Sequence, residues 1–119
     1  MPRILIVEDE PTIRNILSET LSSKYECHAV RTAEEGLKLL SDYPFDAAIT
    51  DVKLPGMGGE DFLRAAHELN PDLPVIVISG GYGGHETKFV EAGAFGYLLK
   101  PFRFEEVEEM VRRAVSSRE

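Results

Sequence analysis

Five short apolar runs are spaced along the chain, and the segments between them repeat their apolar residues at helical intervals. The runs are ILIV at residues 4–7, ECHAVR at 26–31, FDAAITD ending at Asp51, VIVIS ending at Ser79, and GYLLK ending at Lys100. Most lack the apolar/polar alternation of a strand with one wet face, so they suit strands covered on both sides. Strands that alternate with helices pair in parallel, and right-handed crossovers place the helices on both faces of the sheet. The expected fold is therefore α/β: a doubly wound, five-stranded parallel sheet. Of the two common strand orders, 2-1-3-4-5 fits five strands and sets the first beside the third. At 119 residues one core is expected, with residues 1–119 as a single unit.

The helical segments carry their own punctuation. Pro11 suits the first position of a helix, and Ile13, Ile16, Leu17, Thr20 and Leu21 follow on one face. TAEE, Thr32 to Glu35, has the spacing of a capping box opening a second helix to about Ser41. Phe62, Leu63, Ala66 and Leu69 mark a third, stopped by Pro71 and Pro74. A short fourth helix is expected from His85 to Ala92 with Gly93 as its C-terminal cap. The fifth, about Phe104 to Val115, presents Val107, Met110, Val111, Ala114 and Val115 inward, with Glu108/Arg112 and Glu109/Arg113 as i,i+4 pairs.

The strand order has a chemical consequence. Neighbouring tips of the first and third strands bring Glu8 and Asp9 to Asp51, in the crevice where open α/β sheets bind ligands. The fourth and fifth strands bring Ser79 and Lys100 to the same rim. Crowded carboxylates resist ionising together, and one lysine does not balance three. A hard divalent cation, Mg2+, would meet the deficit, since it prefers oxygen ligands and binds through one or two carboxylates. Cation, lysine and hydroxyl together are equipment for stabilising phosphoryl oxygens, with a carboxylate such as Asp51 as acceptor.

Thirteen Lys and Arg against 21 Asp and Glu give a net charge of −8, which argues against nucleic acid as a direct ligand. No segment reaches membrane-spanning length, and nothing resembles a signal peptide; the expected compartment is the cytoplasm, with no membrane partner. Cys27 is the lone cysteine and reads as a small residue of the second strand. His28, His67 and His85 lack ligand spacing. GGYGG at 80–84 lacks the Gly-Lys-Ser/Thr ending of a phosphate-binding loop and reads as a flexible loop.

VEDE, DVKLPGMGG, VIVIS and YLLKPF resemble, in order and spacing, the response-regulator receiver domain of bacterial two-component signalling, and the resemblance spans essentially the whole chain. It implies the flavodoxin-like doubly wound fold and a regulatory module rather than a turnover enzyme. On the family pattern Asp51 is the phospho-acceptor and Glu8 and Asp9 the acidic pair. The Lys53 carbonyl is a further Mg2+ ligand, and Ser79 and Lys100 contact the phosphoryl group. Ser79 and Tyr97 form the switch, and the Lys100–Pro101 bond is cis. The implied phosphoryl donor is a sensor histidine kinase or a histidine phosphotransfer protein. The implied output surface is the fourth helix, fifth strand and fifth helix, acting on an output domain or effector protein; a phosphorylation-dependent homodimer is compatible with it.

Four alternatives stand beside this reading. Tyr97 could instead pack on the last helix with its hydroxyl in water. The side chain of Lys53 could reach over the phosphoryl group and control attacking water. A haloacid-dehalogenase-like aspartyl-phosphate hydrolase also uses Asp and Mg2+, but its motif wants a second Asp where this chain has Lys53. A flavodoxin-like electron carrier needs hydroxyl and amide donors where this chain has acids.

Overall fold

The computed structural model describes residues 1–80 and 86–118. Its strands are β1 (Arg3–Val7), β2 (Glu26–Val30), β3 (Ala47–Asp51), β4 (Val75–Ser79) and β5 (Gly96–Leu99). Its helices are α1 (Pro11–Leu21), α2 (Ala33–Asp42), α3 (Gly59–Leu69), α4 (Glu86–Glu91) and α5 (Phe104–Ser116). All four strand pairings are parallel and the order is β2-β1-β3-β4-β5, as the sequence predicts. Of the glycine-rich stretch only Gly80 is described. Gly81 to Gly84 and His85, the expected first residue of the fourth helix, lie outside the described residues.

The sheet sorts the apolar residues by parity. Ile4 and Ile6 face one side with Ile49, Ile76 and Ile78, beneath Leu17 and Leu21 of α1 and Val107 and Val111 of α5. Leu5 and Val7 face the other with Val75 and Val77, beneath Phe62 and Leu63 of α3 and Phe89 of α4. Each such side chain, fully buried, stabilises the fold by about 1.5–3 kcal/mol relative to exposure. Every residue of β3 and β4 is buried, which is why those runs show no alternation. Edge strand β2 is half-exposed, and Cys27 within it is half-buried against the α1/α5 side. Burial there raises the thiol above its ordinary range.

The helix ends follow their sequence signals, with two local differences. The Thr32 hydroxyl oxygen accepts from the Glu35 amide at 3.1 Å, but its proton goes to the Glu35 carboxylate at 3.0 Å instead of that carboxylate reaching the Thr32 amide. On α5 Arg112 turns to Glu109, one turn earlier at i−3, rather than to Glu108. There the Glu106 carboxylate accepts from the Arg103 amide at 2.9 Å, fixing the helix start. Gly93 closes α4 at φ +103°, a conformation that favours glycine. Leu69, expected on the apolar face of α3, is exposed because it ends the helix just before the Pro71 turn. Among the described residues no helix is long and apolar enough to cross a membrane.

Candidate functional site

The parallel register delivers four strand ends to one rim. Val7 lies opposite Thr50, Asp51 opposite Ile78, and Ser79 opposite Leu99, so Glu8, Asp51, Ser79 and Lys100 arrive together. Carboxylate oxygens of Glu8, Asp9 and Asp51 lie within 4.8 Å of one another. Lys100 Nζ bridges two of them, 3.0 Å from Glu8 Oε1 and 3.1 Å from Asp51 Oδ2, and stands 3.7 Å from Glu10 Oε1. The other Glu8 oxygen, Oε2, accepts from the Glu10 amide at 3.2 Å. Both Glu8 oxygens are thus engaged inside the protein. Asp9, the most exposed of the three acids, lines the cavity with Asp51, and among the described residues no such contact holds its carboxylate.

That cavity has a volume of about 280 Å3 and is walled by Asp9, Glu10, Asp51, Val52, Lys53, Ser79, Gly80 and Lys100. Asp51 and Ser79 are buried at its floor, 6% and 3% exposed, whereas Lys53 is exposed at its edge. Gly59 sets the depth of the floor. A Cβ there would stand 2.3 Å from the Asp51 carbonyl oxygen, and its amide donates to the Val52 carbonyl at 2.9 Å. The last glycine of DVKLPGMGG is required by this close approach of α3 to the end of β3.

The two interior partners titrate in the same direction. Burial pushes the Glu8 carboxyl up to about 7; the Asp51 charge adds to this, and the Glu10 amide and Lys100 oppose it. Burial pulls the Lys100 ammonium down, but the pull of Glu8 and Asp51 outweighs it and its pKa is raised. Glu8 is raised chiefly by burial and Lys100 by its two carboxylates, so the surplus of negative charge is a matter of count: three clustered carboxylates face one bonded ammonium. Clustered carboxylate oxygens with a surplus of negative charge fit a hard divalent cation of the Mg2+ type.

Tyr97 sits on the α4 side of the sheet, its ring centroid 6.1 Å from that of Phe89. Its hydroxyl is buried and has no hydrogen-bond partner among the described residues, so it neither rests on the last helix nor reaches water. The Lys100–Pro101 bond is cis. Two contributors escape the sequence reading. Glu10 approaches Lys100, and the guanidinium of Arg14 donates through Nη1 to the main-chain carbonyls of Glu8, at 3.0 Å, and Asp9, at 3.3 Å. A signal for Arg14 exists: helical side chains lean toward the N-terminus, and Arg14 lies one turn into the helix that follows the acidic run.

A family model described as the response regulator receiver domain matches residues 4–112. The chain is 36% identical to response regulator protein PilR of Pseudomonas aeruginosa, across 98% of this chain and 26% of that protein. It is also 36% identical to the two-component response regulator PhoP of the same species, across 89% of this chain and 48% of that one. The chain thus spans about a quarter to a half of the length of these curated relatives. A crystal structure of a CheY-like response regulator receiver domain protein from Methanospirillum hungatei superposes with a TM-score of 0.92 at 32% identity, covering 98% of this chain and 95% of that one.

Proposed function

The chain belongs to the response regulator receiver family, and on that premise we propose that residues 1–119 act as a phosphorylation-controlled signalling unit with Asp51 as the phospho-acceptor. The observation that carries this is the Lys100 ammonium bridging Glu8 and Asp51 at the floor of an anionic cavity that Ser79 also lines. An Asp51 carboxylate oxygen attacks the phosphorus of a phosphohistidine on a sensor kinase or phosphotransfer protein. The O–P bond forms as the N–P bond breaks, and the donor imidazole leaves as the neutral base once protonated.

Asp9, Asp51 and the Lys53 carbonyl would hold Mg2+, with Glu8 adding its charge from behind. When bound, the cation neutralises negative charge on the phosphoryl oxygens. Lys100 moves no proton in this scheme; it supplies a fixed positive charge within reach of the new phosphoryl group. Ser79 contributes its hydroxyl from the end of β4. The added charge biases an equilibrium between two arrangements of Ser79 and Tyr97, and so of the surface formed by α4, β5 and α5. That surface exposes Val90, Phe95 and Leu99, apolar side chains suited to an output domain or effector.

Incubation with acetyl phosphate and Mg2+, followed by intact-mass measurement, tests the reading. Wild type takes up one acid-stable, base-labile phosphoryl group and Asp51→Asn takes up none. Equal labelling of the two proteins overturns the assignment.

A further inference from the structure

Two of the cations at the site, Lys100 and Arg14, are attached in different ways. Lys100 is bonded to carboxylates, the groups a metal would also use. Arg14 is bonded instead to the main-chain oxygens of Glu8 and Asp9, so its contacts leave the Asp9 carboxylate to the cavity. Main-chain bonds hold the two ends of the turn it grips, from the Glu8 amide to the Val30 carbonyl and from the Arg14 amide to the Glu10 carbonyl, and Arg14 adds a hold on the carbonyls between. Within the turn the Glu10 amide is taken up by the Glu8 side chain, and the next residue, Pro11, has no amide to offer. Because a charged guanidinium makes both bonds, they are stronger than neutral ones, and they tie α1 directly to the peptide that carries the acidic pair.

We propose that Arg14 is a positioning residue for the divalent cation: by holding the Glu8 and Asp9 carbonyls it keeps the Asp9 carboxylate directed toward Asp51, and so strengthens metal binding despite its own positive charge. The inference rests on the reading of this cavity as a metal site. It has a sign that simple electrostatics does not share. A cation acting only through its charge repels a divalent ion, so removing it would tighten binding; removing a positioning residue weakens it.

The test is Mn2+ binding to the full metal-free chain, followed by loss of the free-ion electron paramagnetic resonance signal, since Mn2+ shares the oxygen preference of Mg2+. Arg14→Ala is expected to bind on the order of tenfold more weakly than wild type. Arg14→Lys, which keeps the charge but replaces the fork by a point donor, falls between them. The Mg2+ concentration that half-saturates labelling by acetyl phosphate moves by the same factor. Thermal unfolding in EDTA identifies any variant that fails to fold, and if Arg14→Ala is unfolded the Arg14→Lys comparison decides. Equal or tighter Mn2+ binding in the folded variants overturns the role of Arg14 and leaves the metal site standing. No Mn2+ uptake by wild type overturns both.

Discussion

Replacing Glu8 by glutamine is expected to make the metal-free protein more stable, although it removes a partner of Lys100. Glu8 is 1% exposed and its carboxyl is pushed up to about 7 from 4.5, chiefly by burial. In the folded state its charged form is therefore disfavoured by roughly 2.5 pKa units, or about 3 kcal/mol at 1.36 kcal/mol per unit. The sign follows from proton counts. Between about pH 4.5 and pH 7 the folded chain holds a proton at Glu8 that the unfolded chain has released. Stability from this group is thus full below pH 4.5 and lost as pH rises through 7.

Glutamine keeps the shape and an acceptor for the Glu10 amide without the charge. At pH 8 in EDTA, Glu8→Gln should be more stable by about 1–3 kcal/mol, the lower end allowing for the lost bond to Lys100, since the amide nitrogen that replaces the second oxygen is a donor and does not accept from the ammonium. For a chain of 119 residues each kcal/mol is worth about 4 °C of Tm, so a rise of roughly 4–12 °C is expected. At pH 4.5 the two proteins should melt together. Circular dichroism melts at the two pH values are sufficient. A variant that is less stable at pH 8, or a difference that does not change with pH, would refute the account of Glu8 as a carboxylate whose charge is disfavoured by burial.

Gly59→Ala is expected to lose more than about 3 kcal/mol in urea denaturation, because the new methyl meets backbone at the Asp51 carbonyl and the Val52 α-carbon, 2.3 and 2.9 Å away; a loss under about 1 kcal/mol contradicts the close approach. Tyr97→Phe removes a buried hydroxyl without a partner among the described residues and should raise stability by roughly 1 kcal/mol; a comparable drop in Tm would mean the hydroxyl is bonded after all. Lys53→Ala uncovers the edge of the cavity and should shorten the lifetime of the phosphorylated form as water gains access, read by the decay of the intact-mass signal; an unchanged half-life removes that role.

The central strands were readable because burial on both faces leaves an unbroken apolar run, and from β1, β3 and β4 the parallel order and the meeting of Glu8, Asp9 and Asp51 follow. Edge strand β2 and the six-residue α4 carry weaker signals, since half-exposed or short elements need fewer apolar residues. Contacts made to main chain are harder to foresee. Arg14 is, with Glu19, one of two charged residues on α1, and its role shows only once the turn it holds is folded. The choice of Arg112 between Glu108 and Glu109 is a rotamer preference that spacing does not decide. The upward shift of Glu8 was out of reach for another reason: it depends on how deeply one acid of three is buried, and a pattern of letters does not carry depth.

The sheet keeps two apolar layers apart, and Tyr97 and Phe89 belong to only one of them. On the reading proposed above, a signal that starts at the rim and travels through that aromatic pair would reach α4 on its own side first and α5 only across β5, while the packing of α1 on the sheet keeps a fixed base for the acids. Such a scaffold can change its addressee without retuning its trigger.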